Sequence, residues 1–556
     1  MIRKQASPDH DEPDLTSYMG RWVALLGNRI VGQGGTPDQA LVAAKSARYK
    51  EIPTVVYVPL QYELIFSPML EKVVAILPEN VTIYLVGGGV RDALLRRLTH
   101  DLDFVLQGDV LKIARQVADR LGAAYFPLDE ERGTARLVLI SDEAREVFDF
   151  ASMRGPDLET DLRARDFTIN AIAVDVHRPQ ALLDPLGGAV DLWANSLRAC
   201  SPSAFVDDPL RVLRAIRLAA VLKLKILPET RKIMRQSVPG LIHISAERLR
   251  DELFNILNGP KQSTALRALD MLEALPYILP GIASMHGVEQ SAPHEMDVWD
   301  HTLNVMKKLE SILNALTPVY NPDSASNLIL GLLVLHLGRF RRQISDHSNR
   351  SLVIDRSIRA LQFMAVLYHD AGKPLTRQVN EQGKVSFHNH AEVGSQLATK
   401  GAAFLRLSNT ETERLAIIVR HHLLPFLILK DDQQPSRKAI YRFFRKTREA
   451  GVDICLLSLA DLWASYDEAL PSEVWSKHLN VVKGLLEAWW EHPEESISPL
   501  PLVNGTDLIH ELQLTPGPLI GKLLEAIRES QATGQIYTRQ DALALAKKIR
   551  NQEKQD

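Results

Sequence analysis

Asp101 and Asp103 stand one residue apart in the stretch YLVGGGVRDALLRRLTHDLDFVL, behind three consecutive glycines, Gly87, Gly88 and Gly89. On a strand, side chains at i and i+2 leave the same face, so this spacing aims two carboxylates at one point while Leu102 and Phe104 turn to the core. A third carboxylate, Asp149, is available in VFDFA, where Phe148 and Phe150 take the buried face. An apolar run that enters glycines and then a helix presents backbone N–H groups to a phosphate. Three carboxylates beside such a turn suit two Mg²⁺ ions about 3.5–4 Å apart, one lowering the pKa of an attacking hydroxyl and one steadying a leaving pyrophosphate. That is nucleotidyl-transfer chemistry. A P-loop is excluded because no Lys-Ser/Thr follows the glycines, and the dinucleotide-binding glycine register is absent.

The C-terminal half holds a second set: His301 in VWDHTL, His369 and Asp370 in LYHDAGKP, and Asp461 in LADLWA, with His390 in FHNHAEVG and His421 and His422 in VRHHLLP as further candidate ligands. Imidazoles and carboxylates on separate helices suit a divalent transition metal, Mn, Ni or Zn, with positions left for water and phosphate. HDAGKP predicts a helix that ends at Gly372-Lys373-Pro374, with His369 and Asp370 in its last turn. Between the two sets lies DDPLR. There Asp208 before Pro209 reads as a helix N-cap, and Arg211 falls on the same helical face. A carboxylate that accepts from an exocyclic amino group beside a guanidinium that donates to a ring nitrogen matches the Watson–Crick edges of cytosine and adenine, not those of uracil and guanine.

Positioning these residues requires two kinds of architecture. From about 66 to 190 the runs TIYLV, LDFVL, ARLVLI, EVFDF and INAIAVDV alternate with helical patterns, predicting a mixed sheet with helical cover. After 205 the pattern is helical almost to the end, with breaks near Pro280, over 318–326 and in EHPEESISPLP. The class is α+β: a mixed-sheet head over 65–200, a helical neck over 201–280, a helical metal-binding domain over 281–470 and a helical tail over 471–556. Before the head, WVALLG, Gly27-Asn28, IVGQG, a helical stretch and TVVYVP outline a small ββαβ unit within 1–64, without identifiable chemistry.

Composition narrows the setting. With 556 residues the chain exceeds one core, and a net charge of -3 leaves no global basic field, so nucleic acid must be held by local patches. Two cysteines, Cys200 and Cys455, build neither a disulfide framework nor a cysteine-rich zinc site. The charged N-terminal MIRKQASPDHDEPD is no signal peptide, and the most apolar run, NLILGLLVLHLGRF, is too short and polar to span a bilayer. A cytoplasmic protein without membrane contact is expected.

Taken in order, GGGVRD with DLDF, DLRARDFTINAIA at 161–173, DPLGG at 184–188, DDPLRVLRAIRLA at 207–219 and ISAERLRDELFNIL at 244–257 resemble the bacterial-type tRNA nucleotidyltransferases, which build the CCA end of tRNA, and their poly(A) polymerase relatives. The resemblance implies template-independent addition of C and/or A to tRNA from CTP and ATP, with Mg²⁺ on Asp101, Asp103 and Asp149. It implies nucleotide-binding roles for Gly87, Gly88, Arg91 and Asp92, for Arg165, Asp166 and Asn170 near the sugar, and for Asp208, Arg211, Arg214 and Arg217 near the base. Where the family usually shows two adjacent arginines this chain has Ala164-Arg165, so one charge is absent or comes from Arg163.

The order His, His-Asp, His, His-His, Asp likewise resembles the HD phosphohydrolase superfamily, implying phosphomonoester or 2′,3′-cyclic phosphate hydrolysis. Contacts to tRNA phosphates are sought in RKAIYRFFRKTR, 437–448, and at Lys522, although the aromatic residues of the first stretch equally suit a helical core. Four alternatives stay open: addition of CC only, a poly(A) polymerase, an HD phosphohydrolase with an RNA-binding head, and a non-catalytic RNA-binding regulator. Intact carboxylates disfavour the last two. The first is favoured by a departure from the family, because only GPDLETDL separates Arg154 from Arg163 where full CCA-adding enzymes carry a longer flexible segment.

Overall fold

The computed structural model describes residues 15, 18, 21–34, 36–46, 51–58, 64–140, 145–319, 327–431 and 434–553. The stretch MIRKQASPDHDEPD and most of the polar 318–326 segment lie outside the described residues. The chain divides into two compact units, one of residues up to 207 with 224–231, the other of 208–223 with 232 onward.

The first unit opens with the expected ββαβ module. Strands β1 (Trp22–Leu26) and β2 (Arg29–Gly34) form a hairpin, the helix Pro37–Ser46 follows, and β3 (Thr54–Tyr57) pairs with β1. The head is a seven-stranded mixed sheet built from β4 (Ile83–Val86), β5 (Asp101–Leu106), β6 (Ala124–Asp129), β7 (Thr134–Ile140), β8 (Arg145–Ser152), β9 (Ala173–Asp175) and β10 (Arg178–Leu183), in the order β10-β9-β4-β5-β8-β7-β6. β5 and β8 are the parallel pair, and their alternation sorts the side chains as expected. Leu102, Phe104, Phe148 and Phe150 are buried, and the rings of Phe104 and Phe150 stack at 4.8 Å. The helix Val110–Leu121 is capped by Asp109, ends on left-handed Gly122 and buries Val110, Ile113, Ala114, Val117 and Ala118.

Two differences from expectation have local causes. INAIAVDV is not one strand: Thr168–Asn170 forms a 3₁₀ turn and pairing begins only at Ala173. Gly188 packs so closely on that turn that a Cβ there would lie 1.9 Å from the Thr168 carbonyl oxygen. The edge strand β6 was hidden because AYFPLD buries almost nothing and so lacks apolar alternation.

The second unit is helical. Its helices include Arg211–Leu222, Ala246–Asn258, Val298–Ala315, Ile358–Tyr368, His390–Phe404, Asn409–His421, Arg437–Thr447, Ala450–Tyr466 and Ser472–Trp490, and a tail of Gly505–Leu512, Pro518–Ala532 and Arg539–Glu553 around Val503, Leu508, Leu512, Leu523 and Ile527. The apolar NLILGLLVLHLGRF forms the helix Leu328–Leu337 and a following turn. Among the described residues no helix is long and apolar enough to cross a membrane.

Candidate functional site

In the head, Asp103 on β5 lies directly opposite Asp149 on β8, and Asp101 is two residues back on the same face. Burial and the negative charge of Asp149 hold the Asp101 carboxyl above its ordinary range. Asp149 is not directed at the other two alone. Arg136, its cross-strand partner on β7, grips it bidentately at 2.8 and 2.7 Å. The three head carboxylates accordingly are not among the described groups whose ligand atoms all lie within 4.8 Å of one another. Beside them, Gly87 takes φ 76° and caps the helix Gly88–Leu94. A Cβ at Gly87 would come within 2.9 Å of an Asp103 carboxylate oxygen, so glycine serves here both for its backbone and for its lack of bulk.

A chain of polar contacts extends from this turn. Arg91 is braced by Asp92 through Nε at 3.0 Å and donates through Nη1 to Asn170 Oδ1 at 2.6 Å; Asn170 in turn donates to Asp166 Oδ1 at 3.1 Å. Arg165 donates to Asp161 Oδ2 at 3.0 Å, while Asp161 Oδ1 accepts from the Arg154 backbone N–H. Arg163 does not replace the missing arginine: it pairs with Glu159 on the exposed side of its helix.

In the second unit, the helix bearing DDPLR begins at Arg211, not at Pro209. Asp208 instead accepts from Leu210 N–H at 3.3 Å, closing a tight turn that leads into the helix. Its other oxygen accepts from Arg248 at 2.7 Å. Arg211, Arg214 and Arg217 repeat every three residues along one side, opposite the buried Val212, Ala215 and Ile216, and Arg217 is held by Glu252.

The HD-type centre lies in the same unit. The helix Ile358–Tyr368 stops one residue before His369, so His369 and Asp370 occupy the cap and turn after it, not its last turn. A second helical turn, Lys373–Thr376, follows Gly372 and carries Pro374 at its second position. Asp370 is the hub: its Oδ2 lies 3.2 Å from His369 Nε2, 3.7 Å from His301 Nε2 and 2.7 Å from Lys373 Nζ, and its Oδ1 lies 3.4 Å from His390 Nε2. Asp461 Oδ1 is 3.0 Å from His301 Nε2. His301, His369 and Asp370 form one set of ligand atoms mutually within 4.8 Å, and Asp370, His390 and His422 form another.

The tautomers follow from the carbonyls, which only accept. His369, His390 and His422 each donate Nδ1–H to the carbonyl three residues back, at 2.7, 2.8 and 2.7 Å, leaving Nε2 as a lone pair aimed into the cluster. These three Nε2 atoms are buried without a hydrogen-bond partner. The donor set thus fits a metal. Burial lowers the His422 pKa to about 3, keeping that ring neutral as a ligand must be. Burial alone would raise Asp370, yet His369 when protonated and Lys373 hold it well below the carboxylate range. His421 is half-buried and belongs to neither set.

Several residues escaped the sequence reading. Arg136 carries no motif and Arg248, although inside ISAERLRDELFNIL, has no role assigned by it; only strand register or helix packing pairs them with Asp149 and Asp208. His294, ring to ring with His301 at 4.6 Å, is set by a loop. In RKAIYRFFRKTR, Ile440, Tyr441, Phe443 and Phe444 are core residues, and Arg442 and Arg445 pair with Glu529 and Glu525, so the core reading of that stretch prevails. Lys522 lies in the second turn of Pro518–Ala532.

Comparison with known proteins matches four family models: "Poly A polymerase head domain" over 83–198, "Probable RNA and SrmB- binding site of polymerase A" over 223–285, "HD domain" over 298–462 and "tRNA nucleotidyltransferase domain 2 putative" over 483–546. The chain is 33% identical over 471 residues to the A-adding tRNA nucleotidyltransferase of Deinococcus radiodurans, covering 84% of this chain and 94% of that one. It is 31% identical over 466 residues to the CC-adding tRNA nucleotidyltransferase of Thermus thermophilus, covering 83% and 92%. Among solved structures, a CCA-adding enzyme with CTP aligns with TM-score 0.54 at 19% identity, covering 86% of this chain and 94% of that one. The Thermotoga maritima CCA-adding enzyme with tRNA aligns at 0.51 and 18%, covering 87% and 96%. At such identities these structures speak for the fold. Head and HD domains of these kinds use divalent metals.

Proposed function

From the premise that this chain belongs to the bacterial tRNA nucleotidyltransferase family, we propose that it extends the 3′ end of tRNA with C and/or A from CTP and ATP, without a nucleic-acid template, in the cytoplasm. The observation that carries the reading is the register of the head sheet, Asp103 opposite Asp149 and beneath the Gly87 turn. Asp101, Asp103 and Asp149 would hold Mg²⁺, which would supply acidity toward the tRNA 3′ hydroxyl and neutralise charge on the leaving pyrophosphate. Arg136 fixes the orientation of Asp149 before substrate arrives. The bare Gly87-Gly88 turn admits phosphate oxygens, and Arg165, steadied by Asp161, and Asn170, steadied by Arg91, face the sugar. Asp208, clamped between Leu210 N–H and Arg248, keeps a fixed acceptor edge beside Arg211 for the amino groups of cytosine and adenine.

We further favour addition of CC with little or no A. The relatives include A-adding and CC-adding enzymes of similar identity, so similarity does not decide. Support comes from the short segment between Arg154 and Arg163. Asp157 caps its helix, Asp161 ties Arg154 to Arg165, and Arg154 Nη1 donates to the Ala164 carbonyl. A hinge that reshapes a pocket from cytosine to adenine needs residues free of such ties. The test is to offer tRNA ending at the discriminator base, at C or at CC, with CTP or ATP separately, and to sequence the ends. Rapid A addition to the CC end refutes the CC reading, and no addition of either nucleotide refutes the whole assignment.

A second activity, metal-dependent phosphohydrolysis at the HD-type centre with Mn, Ni or Zn, is supported by the three unpartnered Nε2 atoms converging on Asp370. His301, His369, Asp370 and Asp461, with His390 and His422, are its ligands, and Lys373 offers a cation beside Asp370 for a phosphate oxygen.

A further inference from the structure

The head carries an aromatic side chain that its fold does not explain. Phe126 sits on the edge strand β6 and is 49% exposed. Register places it in a single cross-strand row with the reaction centre: Phe126 opposite Arg136, Arg136 opposite Asp149, and Asp149 opposite Asp103. Partners in such a row share a face, so Phe126 stands on the same face as the three carboxylates.

The row also has a direction. The glycine turn that admits phosphate is at the β4 end, against Asp103. The nucleotide thus approaches from the β4 side, and the RNA strand whose hydroxyl attacks must come from the other side, across β8, β7 and β6. Two strand spacings put Phe126 about 10 Å from Asp149, the height of about three stacked bases. Between them lies the guanidinium of Arg136, 44% exposed, a cation on the path of the strand's phosphates.

We propose that Phe126 is a stacking platform for the bases just before the growing 3′ end of the tRNA, holding the primer as the Gly87 turn holds the triphosphate. The inference rests on the reading that Asp101, Asp103 and Asp149 are the transfer centre. Stacking on an aromatic face is indifferent to base identity, which suits a primer whose terminal base changes with each addition.

Steady-state kinetics on full-length protein test it, with tRNA varied at saturating CTP and CTP varied at saturating tRNA. Phe126→Ala is expected to raise the KM for tRNA roughly tenfold with the KM for CTP unchanged, Phe126→Trp to restore it and Phe126→Leu not to. A 2-aminopurine near the 3′ end of the tRNA is expected to be quenched on binding to wild type and much less on binding to Phe126→Ala. An unchanged melting temperature separates this from misfolding. A KM for tRNA within twofold of wild type in Phe126→Ala overturns the proposal. Asp103→Ala, run in parallel, separates the two failures: if it still adds nucleotides the transfer centre itself is misassigned, whereas an inactive Asp103→Ala beside a wild-type-like Phe126→Ala condemns the platform alone.

Discussion

Asp149 and its Arg136 partner make a testable pair because the guanidinium does two things at once. It orients the carboxylate and it lowers the net negative charge that a metal would meet. Arg136→Ala is therefore expected to leave Mg²⁺ binding intact or tighter while slowing nucleotide addition by roughly 10- to 100-fold, since a misplaced ligand costs rate more than affinity. Titrating Mg²⁺ against initial rate separates the two effects. A proportional weakening of both means that Arg136 serves only the fold. At this scale the site was legible where chemistry follows chain spacing: the Asp101/Asp103 pair, the third carboxylate and the HD-type ligands all stand on motifs. Arg136 on β7, Arg248 on the helix Ala246–Asn258 and His294 were not legible, because their partners are 13, 40 and 7 residues away and are chosen by strand register, helix packing and loop path.

Elements decide whether these side chains arrive together. The turn Thr168–Asn170, which delivers Asn170 to Arg91, is pressed against Gly188 at the start of Gly188–Trp193, and no Cβ fits between them. Gly188→Ala is expected to destabilise the head by about 1–3 kcal/mol and to raise the KM for CTP, read by thermal melting and kinetics on one preparation; a melting curve and KM equal to wild type would refute that packing role. INAIA invites a strand reading because, with VDV after it, it makes a short, mostly apolar run, yet tertiary pressure from DPLGG folds it into a turn, a force invisible in a local window.

Between Ala450–Tyr466 and Ser472–Trp490, His478 lies buried against Ser458 and stacked on Phe426, and burial lowers its pKa to about 4. The unfolded ring takes up its proton near pH 6.5 while the folded one resists it to about 4, so this stability is complete above pH 6.5 and is lost as pH falls through that window. Acidification from pH 7 to 5 is expected to cost about 2 kcal/mol through this ring alone. His478→Asn should flatten the dependence of melting temperature on pH over that interval. An equally steep curve in the variant would assign the loss to other groups.

For the whole molecule, the two proposed metal centres draw on different residues and belong to different compact units, and this predicts independent chemistry. Carboxylates with oxygen-only surroundings favour Mg²⁺, whereas four imidazoles around Asp370 and Asp461 favour Mn, Ni or Zn. Asp103→Ala should abolish nucleotide addition and leave hydrolysis of a phosphomonoester or 2′,3′-cyclic phosphate within twofold of wild type. His369→Ala with Asp370→Ala should do the reverse. Metal identity supplies an orthogonal reading on the unmutated chain. After removal of all divalent ions, Mg²⁺ alone should restore addition without hydrolysis, and Mn²⁺, Ni²⁺ or Zn²⁺ added at stoichiometric levels should restore hydrolysis first. Loss of both activities together in either folded variant would show that the centres are coupled, and recovery of both by Mg²⁺ alone would show that the imidazole cluster does not select its metal.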